Sequence, residues 1–436
     1  MNVLLINSKI KGIKNIDKEI SISYSKKNFD AKAFEQSYIK TIYGSNGSGK
    51  SGIVHAYDIY NFIVTNEFPF KDQIFVSKLL KLINKKTNEF SIENVFAVNL
   101  DEKINRYKHK LIISIDDNKN IYISNESLFC LNSRLDVSQC IFEVVNGEMI
   151  KNNNIYFDEL NSQLNKQNSV IQSLIKNTLF DNPFENDIKR AIALTYYFAI
   201  SLDVSFGSAD DEHESVNLKS IFEHIKDKDF FKTGSTTQYL SSTFHKMKGD
   251  RYAWVIRTED EKKYTNLTKK LCKFLKLLTP TLKNIKIDFK HDGSFSYCEL
   301  TFIYRGYDVD YEFESTGIKK LCSLFVSLSQ IEDDQIVIID EIDAGIHDVF
   351  LTSLIEYFAL YSHCQIIITT HHVGLMDVVK HISKSISILT DDHKIKAWVK
   401  DGDLSPSSLY KKGYLEGVPF NLKPFDFAEI FSTGKK

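Results

Sequence analysis

Apolar residues recur along this chain with more than one period, and each change of period marks a change of structure. Val3-Leu4-Leu5-Ile6 reads as a strand; Ile16, Ile20, Ile22 and Tyr24 share one alternating face of a second, and Ile39, Ile42 and Tyr43 lie on a third. Ile53 to Phe62 then reads as a helix that runs to about Asn66. Strands return over 90–150. Lys110-Leu111-Ile112-Ile113-Ser114-Ile115 and Ile121-Tyr122-Ile123 flank the polar run Asp116 to Asn120 as a hairpin, and Cys140 to Val145 is a further strand. Helical spacing dominates 155–280. Asp187 to Leu202 predicts one helix. Residues 258–278 predict another, with Thr258 and Glu261 as a capping box, Leu267, Leu271, Phe274 and Leu278 on one face, and Pro280 just past the end. Ile285 to Phe289, Cys298 to Tyr304 and Val309 to Phe313 read as strands again. In the last third, Ile336-Val337-Ile338-Ile339 and Ile366-Ile367-Ile368 are continuous apolar runs, the pattern of strands covered on both faces. Helices fit between and after them, and that alternation predicts a parallel central sheet. The tail from Ser432 to Lys436 is expected to fray.

Composition adds limits. At about 150 residues per domain, 436 residues predict two or three domains. A 43% hydrophobic content with mixed charges is that of a soluble globular chain, and a net charge of −2 gives no global pull toward nucleic acid or anionic membrane. The six cysteines (Cys130, Cys140, Cys272, Cys298, Cys322, Cys364) form no C-x-x-C pair, so neither a zinc cage nor a disulfide framework is signalled. The opening apolar run is too short for a signal peptide, and no run of about 20 apolar residues exists to span a bilayer. The expected location is cytoplasmic, in a reducing compartment, with no membrane partner.

The chemistry begins at Gly44-Ser45-Asn46-Gly47-Ser48-Gly49-Lys50-Ser51, which fits the phosphate-loop pattern G-x-x-x-x-G-K-[ST] between a strand and a helix. Its glycines let backbone N–H groups of residues such as Asn46, Gly47, Ser48 and Gly49 turn around a phosphate at a helix N-terminus. Lys50 reaches the outer phosphates, and the Ser51 hydroxyl suits Mg²⁺. Ile336 to Ile339 end in Asp340-Glu341, two carboxylates at the edge where open α/β sheets bind ligands. Asp340 suits the metal ion, and Glu341 suits polarising an attacking water. Glu314-Ser315-Thr316-Gly317 opens an amphipathic helix (Leu321, Leu324, Phe325, Leu328), whose start is either a second anion site or a plain serine cap. Thr369-Thr370-His371-His372 follows the next strand, and His371 is placed to reach a γ-phosphate or the attacking water. The tract Asp210-Asp211-Glu212-His213-Glu214 reads as a solvated loop, with metal binding as the alternative.

The order of these pieces resembles the ABC-type ATPases, and more narrowly the RecF/SMC/OLD-like branch. Gly44 to Ser51 matches Walker A, Ser315-Thr316-Gly317 the signature, Asp340-Glu341 Walker B, Ala344-Gly345-Ile346-His347 the D-loop, and His371 the switch histidine. The opening Lys9-Ile10-Lys11-Gly12-Ile13-Lys14 is similar to that branch, as is the run from Asp340 to His347. The signature departs from Leu-Ser-Gly-Gly-Gln and resembles the Glu-Ser-x-Gly-x-Lys form of compact bacterial "AAA family" ATPases; Tyr414-Leu415-Glu416-Gly417-Val418-Pro419 resembles their tail. The resemblance implies an α/β P-loop NTPase of ABC-ATPase head type, with a mixed central sheet, an N-terminal antiparallel β part and a helical insertion. Residues 1–150 would be the N-terminal half of the head, 151–282 a mainly helical lobe, and 283–436 the C-terminal half. It also implies ATP and Mg²⁺ as cofactors, Glu341, His371 and Lys50 as catalytic residues, and a homodimer or higher homo-oligomer in which Ser315 and Gly317 meet the partner's ATP. The family's Q-loop glutamine has no motif around it here; Gln139 and Gln172 are candidates.

Many relatives in that group are anti-phage defence ATPases, as in the Septu, retron-associated and PARIS systems. The 65 residues after His371 predict no fused Toprim nuclease of about 100 residues, so the resemblance implies a sensor or scaffold subunit controlling a separate nuclease or toxin, with turnover slow or partner-regulated. A DNA-repair-type clamp is the alternative. It draws on Lys262, Lys263, Lys269, Lys270, Lys273 and Lys276, a run free of acids that could track phosphates or simply be a solvated helix face. A third reading is a scaffold that binds ATP and hardly hydrolyses it.

Overall fold

The computed structural model describes residues 2–25, 30–152, 164–176, 186–206, 254–293, 295–329, 336–363, 365–399 and 403–415. The tract Asp210 to Glu214, Cys364 and the tail beyond Leu415 lie outside them. The alternating N-terminal pattern forms an antiparallel sheet of β1 (Asn2–Lys11), β2 (Ile20–Ser23), β4 (Glu89–Leu100), β5 (Lys103–Ile115), β6 (Ile121–Leu131), β7 (Val137–Val145) and β8 (Glu148–Asn152), in the order β2-β1-β4-β5-β6-β7-β8. The central sheet holds β3 (Tyr38–Gly44), β9 (Leu202–Ser205), β14 (Ile336–Ile339), β15 (Gln365–Thr369), β16 (Ile386–Leu389) and β17 (Ile395–Ala397), in the order β17-β16-β3-β15-β14-β9. All its pairings are parallel except β16 with β17, so the sheet is mixed. A third sheet is made by β10 (Trp254–Arg257), β11 (Leu282–Asp292), β12 (Phe295–Tyr304) and β13 (Asp308–Asp310).

Strand pleating explains the continuous apolar runs. Ile336 and Ile338 join one core with Ile42, Ile367 and Leu389, while Val337 and Ile339 join another with Tyr43, Ile366 and Ile368. Successive side chains therefore serve opposite cores, and every residue of β14 and β15 is buried. The helix α1 (Lys50–Thr65) lies in the first core, between the central and antiparallel sheets. Ile53, Val54, Ala56, Tyr57, Ile59, Tyr60, Ile63 and Val64 are all buried, so it is apolar almost all round. A second helix, α2 (Gln73–Leu82), is capped by Asp72, which accepts from Ile74 N at 2.8 Å and Phe75 N at 3.1 Å. Then come α3 (Val170–Lys176) and α4 (Asp187–Ile200); Phe198 of α4 stacks on Phe96 of β4 at 4.1 Å. The second core takes α5 (Glu261–Lys276), α6 (Thr316–Ser329), α7 (Asp348–Tyr361), α8 (Leu375–Val379) and α9 (Pro406–Lys411). No described helix is long and apolar enough to cross a membrane.

Three local expectations change. The helix expected through Leu202 stops at Ile200, and Leu202 to Ser205 pair with β14 as the edge of the central sheet. The capping box does not form. Thr258 sits in a short 3-10 turn, α5 starts at Glu261, and both side chains turn to Ser296, whose hydroxyl donates to Glu261 Oε1 at 2.5 Å and lies 3.2 Å from Thr258 Oγ1. Val309 to Phe313 divides into the end of β13 and a 3-10 turn over Tyr311–Phe313.

Two polar features are buried within this framework. Tyr60 OH lies 2.7 Å from His109 Nδ1, His109 Nε2 lies 3.1 Å from Glu126 Oε1, and the Glu126 carboxylate accepts from Ser169 Oγ and Val170 N, both at 2.7 Å. This joins α1 through two strands to the start of α3 with each group satisfied. On β3, Lys40 is 3% exposed and donates to Ser23 O at 3.1 Å and Lys384 O at 2.7 Å. Burial, aided by the Lys384 charge, pulls its ammonium down to about 7. Between pH 7 and the ordinary lysine value the unfolded chain therefore holds a proton that the folded chain has released. Stability relative to Lys40→Met should rise with pH across that window, by at most about 1.4 kcal/mol per pH unit, and level off below pH 7. Urea unfolding of both proteins at pH 7 and 9.5 measures this, and a pH-independent difference contradicts it.

Candidate nucleotide site

The parallel order of β3, β15 and β14 brings the separate motifs to one edge. The loop after β3 holds residues 44–51, the chain after β15 holds His371, and the chain after β14 holds Asp340 and Glu341.

In the loop, Gly47 stands at φ +80° and Gly49 at φ +113°. A β-carbon on Gly49 would come within 2.9 Å of Ile16, so that position admits no side chain on either count. The carbonyls are tied from within and from outside: Lys50 Nζ donates to Gly44 O at 2.9 Å and Ser45 O at 3.0 Å, Asn15 Nδ2 donates to Gly47 O, and His393 Nδ1 lies 3.2 Å from Ser48 O. Ser45 Oγ donates to Asp391. Because α1 starts at Lys50, the N–H groups of its first turn have no intrahelical acceptor. Ser48 Oγ is buried without a partner, and a β-carbon on Gly47 would meet nothing within 4 Å. An open turn, an orphaned hydroxyl and free helix-start N–H groups fit a phosphate. Asn46 and Gly47 are exposed at its rim, and Ser51 is half-buried beside Lys50.

The acidic edge is tightly specified. Asp340 is buried, and its Oδ1 accepts from Thr369 Oγ1, which in turn accepts from Glu341 N at 2.8 Å. Glu341 is exposed and stands at φ +47°, a left-handed conformation costing about 1–3 kcal/mol in a non-glycine residue. The Asp343 carboxylate accepts from His371 N at 3.2 Å, and the His371 side chain is exposed. Burial lowers the Lys50 ammonium from its usual value, against the opposing fields of Asp340, Glu341 and Asp343. Lys50, Asp340 and Glu341 thus share one electrostatic neighbourhood: a cation for phosphate, a buried carboxylate for a metal ion and an exposed carboxylate for water.

Ser315 and Gly317 stand at the start of α6. Ser315 Oγ accepts from Ile318 N at 3.3 Å, which is the plain cap, and a β-carbon on Gly317 would lie 3.9 Å from Gly345 O. Among the described residues no hydrogen bond joins either of them to residues 44–51. Neither glutamine candidate bonds to the site: Gln139 lies on β7, and Gln172 is buried in α3 with both amide atoms unpartnered. His372 Nε2 pairs with Asp348 at 3.4 Å, and His347 caps α7. Asn15, Asp391 and His393 hold the loop without any motif of their own. Thr369 lies within the stretch that the sequence marks, but its bridging role needs the parallel neighbour.

The family model for the RecF/RecN/SMC N-terminal domain matches residues 13–396. Among solved structures, the SMC head domain from Thermotoga maritima is similar at 12% identity and a TM-score of 0.34, covering 91% of this chain and 99% of that one. The recombination mediator protein RecF with ATPγS is similar at 14% identity and a TM-score of 0.38, with the same coverages of 91% and 99%. No curated protein matches.

Replacing Thr369 by Val strands the Glu341 N–H and removes the donor to a buried carboxylate. Thermal or urea unfolding should show a loss of about 1–3 kcal/mol, and an unchanged midpoint would contradict the bridge.

Proposed function

This chain belongs to the RecF/RecN/SMC N-terminal domain family, whose members are ATPases, and on that premise we propose that it binds ATP with Mg²⁺ at residues 44–51 and hydrolyses it between two copies of itself. The observation that carries this is the convergence of Lys50, Asp340, Glu341 and His371 at one end of three adjacent parallel strands. The backbone of Asn46, Gly47, Ser48 and Gly49 wraps the phosphates, and Lys50 turns from its loop carbonyls to the outer ones. Ser51 and Asp340 would hold the metal ion, which when bound neutralises phosphate charge. Glu341 accepts the proton of the attacking water, and His371 would reach the γ-phosphate or that water. Among the described residues Ser315 and Gly317 make no hydrogen bond to the loop of their own chain, which supports their acting on a partner's nucleotide, so dimerisation would be part of the chemistry.

Two uses of that ATPase follow. The first is a sensor or scaffold subunit of a defence complex that controls a separate nuclease or toxin, with slow or partner-regulated turnover. Its support is the Glu314-Ser315-x-Gly317-x-Lys319 signature, in which the Glu314 carboxylate accepts from Tyr304 OH at 2.6 Å and from Ser315 N at 3.1 Å. The second is a clamp on DNA. Its support is α5, where Lys262, Lys269, Lys270, Lys273 and Lys276 are all exposed opposite the buried Leu271, Cys272 and Leu275.

Glu341→Gln should slow phosphate release about 100-fold or more and hold an ATP-dependent dimer seen by light scattering, while Lys50→Ala should give neither turnover nor dimer. Dimerisation by Lys50→Ala at the wild-type ATP concentration would contradict ATP gating, and equal turnover in wild type and Glu341→Gln would leave an inert scaffold. The clamp reading is checked separately. ATP-dependent DNA binding should fall steeply with salt and weaken in the double variant Lys269→Glu, Lys273→Glu; absent or salt-insensitive binding removes it.

A further inference from the structure

Lys320 takes no part in the chemistry proposed above, yet it touches the residue on which that chemistry turns. It lies in the second turn of α6, half-buried, and its Nζ donates to Glu341 O at 2.8 Å. That carbonyl also accepts from Ala344 N at 3.0 Å, while Glu341 N is held by Thr369 Oγ1 at 2.8 Å. Both main-chain polar groups of Glu341 are thus fixed while the residue sits at φ +47°. The Lys320 ammonium also feels the carboxylates of Asp343, Glu341 and Asp340. The adjacent Lys319 points elsewhere, donating to Glu312 O at 2.7 Å and lying over the Tyr311 ring. Gly317, three residues before Lys320 and so on the same helix face, stands where an added β-carbon would lie 3.9 Å from Gly345 O. The opening turns of α6 are therefore hydrogen-bonded to residue 341 of their own chain and run close to residue 345.

We infer that Lys320 is a positioning residue that fixes the main chain of Glu341 and ties it to the helix whose first turn meets the neighbouring copy's nucleotide. The inference rests on the two-copy reading above. A helix moves as a rigid unit over so few residues, so a shift of α6 when Ser315 and Gly317 engage a phosphate is carried through Lys320 to the Glu341 carbonyl. The direction of the Glu341 carboxylate follows its main chain. Hydrolysis at one nucleotide then depends on occupancy of the other, and the dependence runs within each chain from signature to base.

Two substitutions in the full-length chain test this. Lys320→Met keeps much of the apolar stem and removes the donors, whereas Lys320→Arg retains a donor. In hydrogen exchange without nucleotide, the Ala344 amide should exchange about tenfold faster in Lys320→Met and near the wild-type rate in Lys320→Arg. In steady-state hydrolysis, Lys320→Met should lower kcat about 10-fold to 100-fold with KM for ATP within about threefold. Its Hill coefficient for ATP should fall from above one to about one, and Lys320→Arg should restore most of both. Unchanged exchange in Lys320→Met overturns the tether. Faster exchange with unchanged kcat and Hill coefficient overturns its role in hydrolysis. Equal loss in both variants with a lowered melting temperature assigns Lys320 to folding alone and also overturns the inference. Should the wild type neither hydrolyse ATP nor dimerise with it, the two-copy reading fails by itself, and the exchange measurement still decides the tether.

Discussion

The parallel pairing of β3, β15 and β14 is the constraint on which the remaining geometry depends. Its register sets Ile339 against Ile368 and Thr369 against Ile42, so three chain segments leave the sheet side by side at its carboxyl edge. Each continues as a different loop. A glycine-rich loop and, nearly 300 residues later, a pair of carboxylates and a histidine leave the sheet at the same edge for that reason alone. The pairing holds because both sheet faces are covered, so the backbone polar groups of these strands have no competing water and must bond to each other.

Burial fixes the phosphate loop from below. The helix α1 begins inside the site and runs between two sheets, with Tyr57 and Tyr60 fully buried. Its apolar sides anchor it, and the chain Tyr60–His109–Glu126 anchors it again through polar contacts that extend to the start of α3. With neutral imidazole, Tyr60 donates to Nδ1 and Nε2–H donates to Glu126, which satisfies every member. Leaving one of these groups unpaired in such surroundings is costly, so the network specifies one placement of α1 and hence of Lys50.

The same economy of backbone partners shapes the acidic edge. Thr369 serves two neighbours at once, donating to Asp340 and accepting from Glu341. This lets a buried carboxylate and a left-handed main chain coexist at the end of β14. Lys320 adds a third support from α6, which places the start of that helix and the main chain of Glu341 in one hydrogen-bonded unit.

Much of this was legible in the sequence because the physics involved is local. The period of two in β1 and β5, the unbroken apolar run of β14 and the glycines at 47 and 49 report pleating, two-sided burial and φ > 0 at the residues themselves. Local signals misled where a longer-range partner competed: Leu202 continues a helical pattern but completes the edge of a sheet, and Thr258 and Glu261 look like a cap but turn to Ser296. The contacts of Asn15, His393 and Asp391 with the loop and the reach of Lys320 to Glu341 carry no sequence signal, since each partner is chosen by strand order across as many as 346 positions. The sequence by itself determined most of the elements and the positive-φ glycines of the loop after β3. Only the tertiary structure decided which of them meet, because side-chain periodicity records which face is buried and not which neighbour buries it.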